Sequence, residues 1–291
     1  MVGVPGQEVV AVATSDGRMV IEIRGPRATG PPVVCLHGLS ANRSTWRPVA
    51  KRLSERRRVV LVDLLGRGES DPAPGARYDL ESEVRRLDHV LTASGIERPV
   101  LAGHSHGAAI ALAAAHRVSA SGLLLVNPVT PGLSRPAVLS ALRSPPARAM
   151  LAPAVKLFRR PLTRYMLVRR VFANREAIPA GLVDRYADPY GSWGRAAGLA
   201  RILSDWDPAE LEHWAGSPGV PVHVIAGAED RRIGPDAARR WAARLGGSFE
   251  LAAGCGHSAP EERTTKVAEA LEDLLETICA SEQDETHDDQ E

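Results

Sequence analysis

The chain has 291 residues, 44% hydrophobic and 24% charged, which suits one large α/β domain with an insertion or two modest domains. Its formal net charge of +1 argues against whole-chain attraction to nucleic acid, and no apolar run approaches the roughly 20 residues that span a bilayer. Three scattered cysteines, Cys35, Cys255 and Cys279, are too few for a disulfide framework or a zinc motif. With no basic-then-apolar start, they predict a reducing, cytoplasmic setting.

In chain order, residues 8–12 and 19–23 alternate around a turn at Ser15-Asp16-Gly17 and predict a β-hairpin. An apolar strand at 33–36 runs into His37-Gly38-Leu39-Ser40, and a helix is predicted over 44–55. A strand at 59–62 leads into Asp63 and a glycine-rich turn, followed by a helix over 80–95. The strand at 100–102 meets Gly103-His104-Ser105-His106-Gly107 and then an alanine-rich helix over 108–118. A strand that turns sharply into a helix through small residues puts the middle serine on an exposed elbow. Another strand follows at 123–126.

From about 129 to 217 the alternation breaks into a proline-punctuated helical pattern, too long for a structureless loop and read as an inserted cap. Eight of the twelve aromatics fall in its later part, Trp193 among them, and compete between the cap's own core and an apolar pocket wall. The arginine pairs at 159–160 and 169–170 suit a solvated helix face, with an acidic substrate or acidic partner protein as the alternative. Strand–helix alternation then resumes. A strand at 222–225 leads to Glu229-Asp230, a helix covers 235–245, and a strand at 249–251 leads to Gly254-Cys255-Gly256-His257. After a helix over 261–278, the acidic tail 281–291 is expected to be disordered.

Short apolar runs alternating with helices predict a doubly wound, mostly parallel sheet, with its core in 1–128 and 218–280. Ligands of such sheets bind beyond the carboxyl ends of the strands, where Ser105, Asp230 and His257 all fall. Serine is a weak nucleophile without a base. His257 can take its proton, and Asp230 can orient the imidazole. Asp63 and Glu229 compete for the acid's place. The backbone N–H groups of Leu39 and His106 can form an oxyanion hole. His37, Ser40 and Trp193 are candidate substrate contacts. His104 is expected to pack inward, and Cys255 to be an inert buried residue.

The segments LHGLS (36–40), DLLGRGES (63–70), GHSHG (103–107), GAED (227–230) and GCGHSAPEE (254–262) together resemble the α/β-hydrolase fold, in its capped serine hydrolase branch. The resemblance spans residues 8 to 279. It implies a hydrolase acting through an acyl-enzyme on an ester, thioester or lactone of a small to medium apolar molecule. Carbon–carbon cleavage of a β-dicarbonyl compound is an alternative in which Ser40 can assist. Ser105 stands where epoxide hydrolases and haloalkane dehalogenases carry a carboxylate. His106 departs from the apolar residue common at its position, and its side chain is expected beside the substrate. A Ser-His pair also occurs in the cofactor-free dioxygenases of this fold, whose acid would fall near Asn127. A non-hydrolytic cyclase or binding protein is the remaining alternative. The expected partner is a small-molecule substrate, with no cofactor, no metal, no nucleic acid and no membrane.

Overall fold

A computed structural model describes residues 7–27, 30–133 and 141–288. Eight strands form one sheet in the order β1-β2-β4-β3-β5-β6-β7-β8. The hairpin β1 (Gln7–Thr14) and β2 (Gly17–Arg24) joins antiparallel to β4 (Val59–Asp63). From there the sheet is parallel, through β3 (Val33–Leu36), β5 (Val100–His104), β6 (Gly122–Val126), β7 (Val222–Gly227) and β8 (Ser248–Ala252).

The apolar runs explain that burial. Successive side chains of a strand point to opposite faces. Val34, Leu36, Val60 and Val62 therefore join one core, while Val33, Cys35, Val59 and Leu61 join another. Helices α2 (Leu80–Ala93), α3 (His106–Ala114) and α7 (Pro235–Arg244) cover the first face. Helices α1 (Arg47–Leu53) and α9 (Thr264–Asp288) cover the second. Between β8 and α9 lies one short helical turn, α8 (Ala259–Glu262).

Between β6 and β7 the chain leaves the sheet. Helix α4 (Pro145–Met166) continues into a π-wound turn, Leu167–Val171, followed by α5 (Leu182–Ala187) and α6 (Trp193–Asp205). Ala152 and Val155 of α4 pack on Tyr190, Ala196 and Leu199. Leu167, Phe172, Leu182 and Tyr186 form a second small cluster. These inserted helices lie over the carboxyl ends of the strands and roof the site.

One element departs from expectation. Composition predicts an irregular tail from Ser281, yet α9 runs on to Asp288. The Ser281 hydroxyl donates back to the carbonyl of Thr277, and the residues that follow include no Gly or Pro to end a helix. Residues 289–291 of that predicted tail lie outside the described residues. Among the described residues, no helix is long and apolar enough to cross a membrane.

Candidate active site

Ser105 stands between β5 and α3 with φ 53° and ψ −115°, a left-handed backbone unusual for a side-chain-bearing residue. The tight elbow depends on its neighbours. A Cβ on Gly107 would lie 2.3 Å from the Leu36 carbonyl oxygen, so only glycine lets α3 approach β3 this closely. His257 Nε2 lies 3.0 Å from Ser105 Oγ, and His257 Nδ1 lies 2.8 Å from Asp230 Oδ2. All three residues are buried. With Nδ1–H donating to the carboxylate, Nε2 is left as the acceptor facing the serine.

Asp230 is held by more than His257. Its Oδ1 accepts from the N–H groups of Arg232 and Ile233, and its Oδ2 accepts from the Asn127 amide at 3.0 Å. Burial pushes this carboxyl up. The imidazole and these hydrogen bonds outweigh that and hold it below the ordinary aspartate range. Asn127 follows β6 with φ 45° and also donates to the Gly256 carbonyl. Asn127 thus braces both the acid and the histidine loop, a role sequence reading missed. Its one signal was position, at the carboxyl end of a central strand.

The two competing acids are engaged elsewhere. Glu229 accepts from the N–H groups of Gly254 and Cys255. Asp63 is buried and bound to the Arg43 guanidinium, with further hydrogen bonds from the backbone of Arg43 and Glu69.

The histidine loop is tied down on several sides. The His257 N–H donates to the Val171 carbonyl of the π-wound turn at 2.6 Å, and the ring Nε2 of His104 donates to the His257 carbonyl at 2.6 Å. A Cβ on Gly256 would fall 2.3 Å from the Val171 carbonyl oxygen. Glu262 accepts from Gly256, Ser258 and Ala173, so one carboxylate joins the histidine loop to the roof. Its neighbour Glu261 accepts from Ser258 Oγ at 2.8 Å and hydrogen-bonds Tyr186 of α5, which also meets Thr45. Desolvation pushes Glu261 up to about 7.

Three expectations need correction. His37 is fully buried and turned away from the cavity. Its Nδ1–H donates to the Gly38 carbonyl, and its Nε2 accepts from the Leu64 N–H. With both nitrogens used and burial driving its pKa to about 3, it is a neutral brace of the turn. Trp193 opens α6 at 57% exposure, under the Lys156 ammonium at 4.2 Å, and does not reach the cavity. The His106 side chain does not emerge beside the serine. It packs edge-on against Trp206 with ring centres 4.6 Å apart, and burial lowers its pKa to about 3. As the first residue of α3 it can still present its backbone N–H, since first-turn N–H groups have no partner within the helix. His104 is buried beside the elbow, as expected, and Cys255 is buried with its thiol pushed up to about 12.

Above Ser105 lies a cavity of about 410 Å³. Its core side is formed by Gly38, Leu39, Ser40 and Ala41, with His257 and Ser258. Its roof is mostly apolar, from Val155, Leu162, Met166, Leu167, Leu199 and Leu203, joined by Tyr186 and Tyr190. Among the described residues, Arg159 and Arg232 are its cations, and no acidic side chain lines it.

A sequence model described as the alpha/beta hydrolase family matches residues 33–270, which takes in every strand from β3 onward and all the loops just described. The chain belongs to the alpha/beta hydrolase family. It is 25% identical to a monoacylglycerol lipase of Xenopus laevis over 278 residues, covering 91% of this chain and 81% of the lipase. An uncharacterised protein of Mycobacterium tuberculosis is 26% identical over 277 residues, covering 88% of this chain and 79% of its own. An alpha/beta hydrolase fold protein from Burkholderia ambifaria superposes with a TM-score of 0.79 at 24% identity, covering 92% of this chain and 99% of its own. That last likeness concerns the fold alone.

Proposed function

We propose that this member of the family is a capped serine hydrolase that cleaves carboxylic or thiol esters of small to medium apolar molecules through an acyl-enzyme. The observation that carries the reading is the hydrogen-bonded line Asp230–His257–Ser105, at 2.8 and 3.0 Å, opening into a largely apolar cavity. Ser105 Oγ attacks the ester carbonyl carbon while its proton passes to His257 Nε2. Asp230 stabilises the imidazolium that results. The carbonyl oxygen becomes an oxyanion, met by the N–H groups of Leu39 and His106. Collapse breaks the bond to the leaving alkoxide or thiolate, which takes the proton from His257. Water, deprotonated by the same nitrogen, then releases the acid and restores the serine.

Asn127 supports this reading over the dioxygenase alternative. It occupies the place where that chemistry needs an acid, and here its amide donates to Asp230. The name of the Xenopus lipase is consistent with ester cleavage. Two measurements test the proposal. A p-nitrophenyl ester should be hydrolysed by the wild type and not by Ser105→Ala. A fluorophosphonate should label Ser105 stoichiometrically. A folded wild-type protein that neither turns over the ester nor takes the label refutes it.

A further inference from the structure

Helix α4 shows an unusual outer face. At about 100° per residue, Met150, Ala154, Leu157, Pro161 and Tyr165 fall in one line along it, with Phe158 and Leu162 alongside. All of them are exposed, Leu157 at 70%, Phe158 at 61% and Leu162 at 50%. The opposite side of α4 buries Ala152 and Val155 against α6, so the helix is apolar inside and again outside. Soluble monomers rarely leave so large an apolar stripe bare.

Charge indicates what covers it. Residues 145–171 carry seven cationic side chains and no acid. Arg160 is paired with Asp188. Arg164, Arg169 and Arg170 are exposed and, among the described residues, have no acidic partner. An exposed apolar stripe edged by cations is the pattern of a helix lying in a membrane interface. The stripe also runs into the cavity, because Leu162 is half exposed and still lines the space above Ser105. A protein seated there would cover the approach to the serine, whereas a lipid surface would both cover the stripe and supply apolar esters.

We propose that the outer face of α4 docks on an anionic lipid surface, so that the substrate is an ester drawn from that surface. This departs from the sequence-based expectation of no membrane partner. The route of the substrate rests on the ester-hydrolase reading; the docking does not.

The test uses the full chain carrying Ser105→Ala, so that lipid is not consumed. Sedimentation is measured with vesicles of phosphatidylcholine alone and with roughly one-third phosphatidylglycerol added. The expected result is binding to the anionic vesicles at least about tenfold stronger than to neutral ones, and weakened by salt. Leu157→Gln with Phe158→Gln should lower that binding at least about tenfold. In the wild-type background the same pair should leave hydrolysis of a soluble p-nitrophenyl ester unchanged. Equal binding to both vesicles overturns the proposal, as does no binding to either. A dimer in light scattering that is lost in the double variant also overturns it, by assigning the face to a second copy of the chain. If docking is seen while the wild type cleaves no ester, the hydrolase reading fails and the docking stands.

Discussion

The floor and the roof of the cavity are built on different principles. On the floor, hydrogen bonds determine every position. Asp230 has four donors, His257 is held at both ring nitrogens and through its backbone N–H and carbonyl, and Ser105 sits in a strained elbow. The roof meets the cavity mostly through apolar side chains, with the Tyr190 hydroxyl reaching the Ser40 carbonyl at 3.3 Å. Directional bonds tolerate little displacement, whereas apolar contacts are graded and non-directional. In the proposed hydrolase, chemistry then belongs to the hydrogen-bonded side and substrate choice to the apolar one. Beside the histidine loop the two meet at Glu262 and at the His257–Val171 hydrogen bond.

The largest expected effect comes from breaking the floor. Asp230→Asn should fold and lose about 10⁴ in kcat, because an amide favours the wrong histidine tautomer. Steady-state kinetics on a soluble ester checks this, and a loss below tenfold would remove Asp230 from the relay. Next comes the seam. Glu262→Ala strands the N–H groups of Ala173, Gly256 and Ser258, and should cost about 1–3 kcal/mol in denaturant unfolding. Its kcat should fall as well, since His257 loses its brace. A variant that is destabilised with unchanged kcat would show that the seam only holds the fold.

A subtler effect concerns pH. Glu261 is raised from 4.5 to about 7 by desolvation, in a setting that also includes Ser258, Tyr186, Arg185 and Glu262. The folded chain therefore keeps a proton that the unfolded chain releases. The stability this contributes is fully present below about 4.5 and is lost as pH rises through about 7. Glu261→Gln should flatten that part of a melting-temperature profile, and an unchanged slope would assign the effect to another group. The smallest change is expected from the roof's outer edge. Trp193→Ala removes an exposed ring stacked under Lys156 and should shift stability by about 0.5–1 kcal/mol, with unchanged KM. A clear rise in KM would bring Trp193 back to the substrate.

The sheet was legible in the sequence because a strand buried on both faces must be a continuous apolar run, and each such run became a strand. The meeting of Ser105, Asp230 and His257 was legible for a related reason. Each follows a parallel strand, and parallel strands deliver their ends to one edge. Side-chain direction was not legible. Whether His37 faces the cavity or Leu64, and whether Trp193 packs inward or meets Lys156, depends on rotamers and on partners distant in the chain. Asn127 looked like a missing acid because its bond to Asp230 spans 103 residues. Glu261 and Glu262 were read only as part of a motif, since their bonds to Tyr186 and Ala173 reach the roof, far away in the chain.

The sheet register has a consequence for how such an enzyme diversifies. Val126 ends β6 beside Ile225, but the parallel strand β7 begins at Val222, opposite Leu123, so the chain that departs for the roof must cross back to the other end of the sheet before it re-enters. The sheet therefore closes the same way for any insert between Val126 and Val222 long enough to make that crossover, and closure entropy grows only slowly with further length. The roof is thus an insert between two neighbouring strands, tied to the floor by Glu262 and the His257–Val171 bond among others. Exchange for another lid of the same fold can change which molecules enter while β6, β7 and the loops beyond them keep their hydrogen-bonding partners within the sheet.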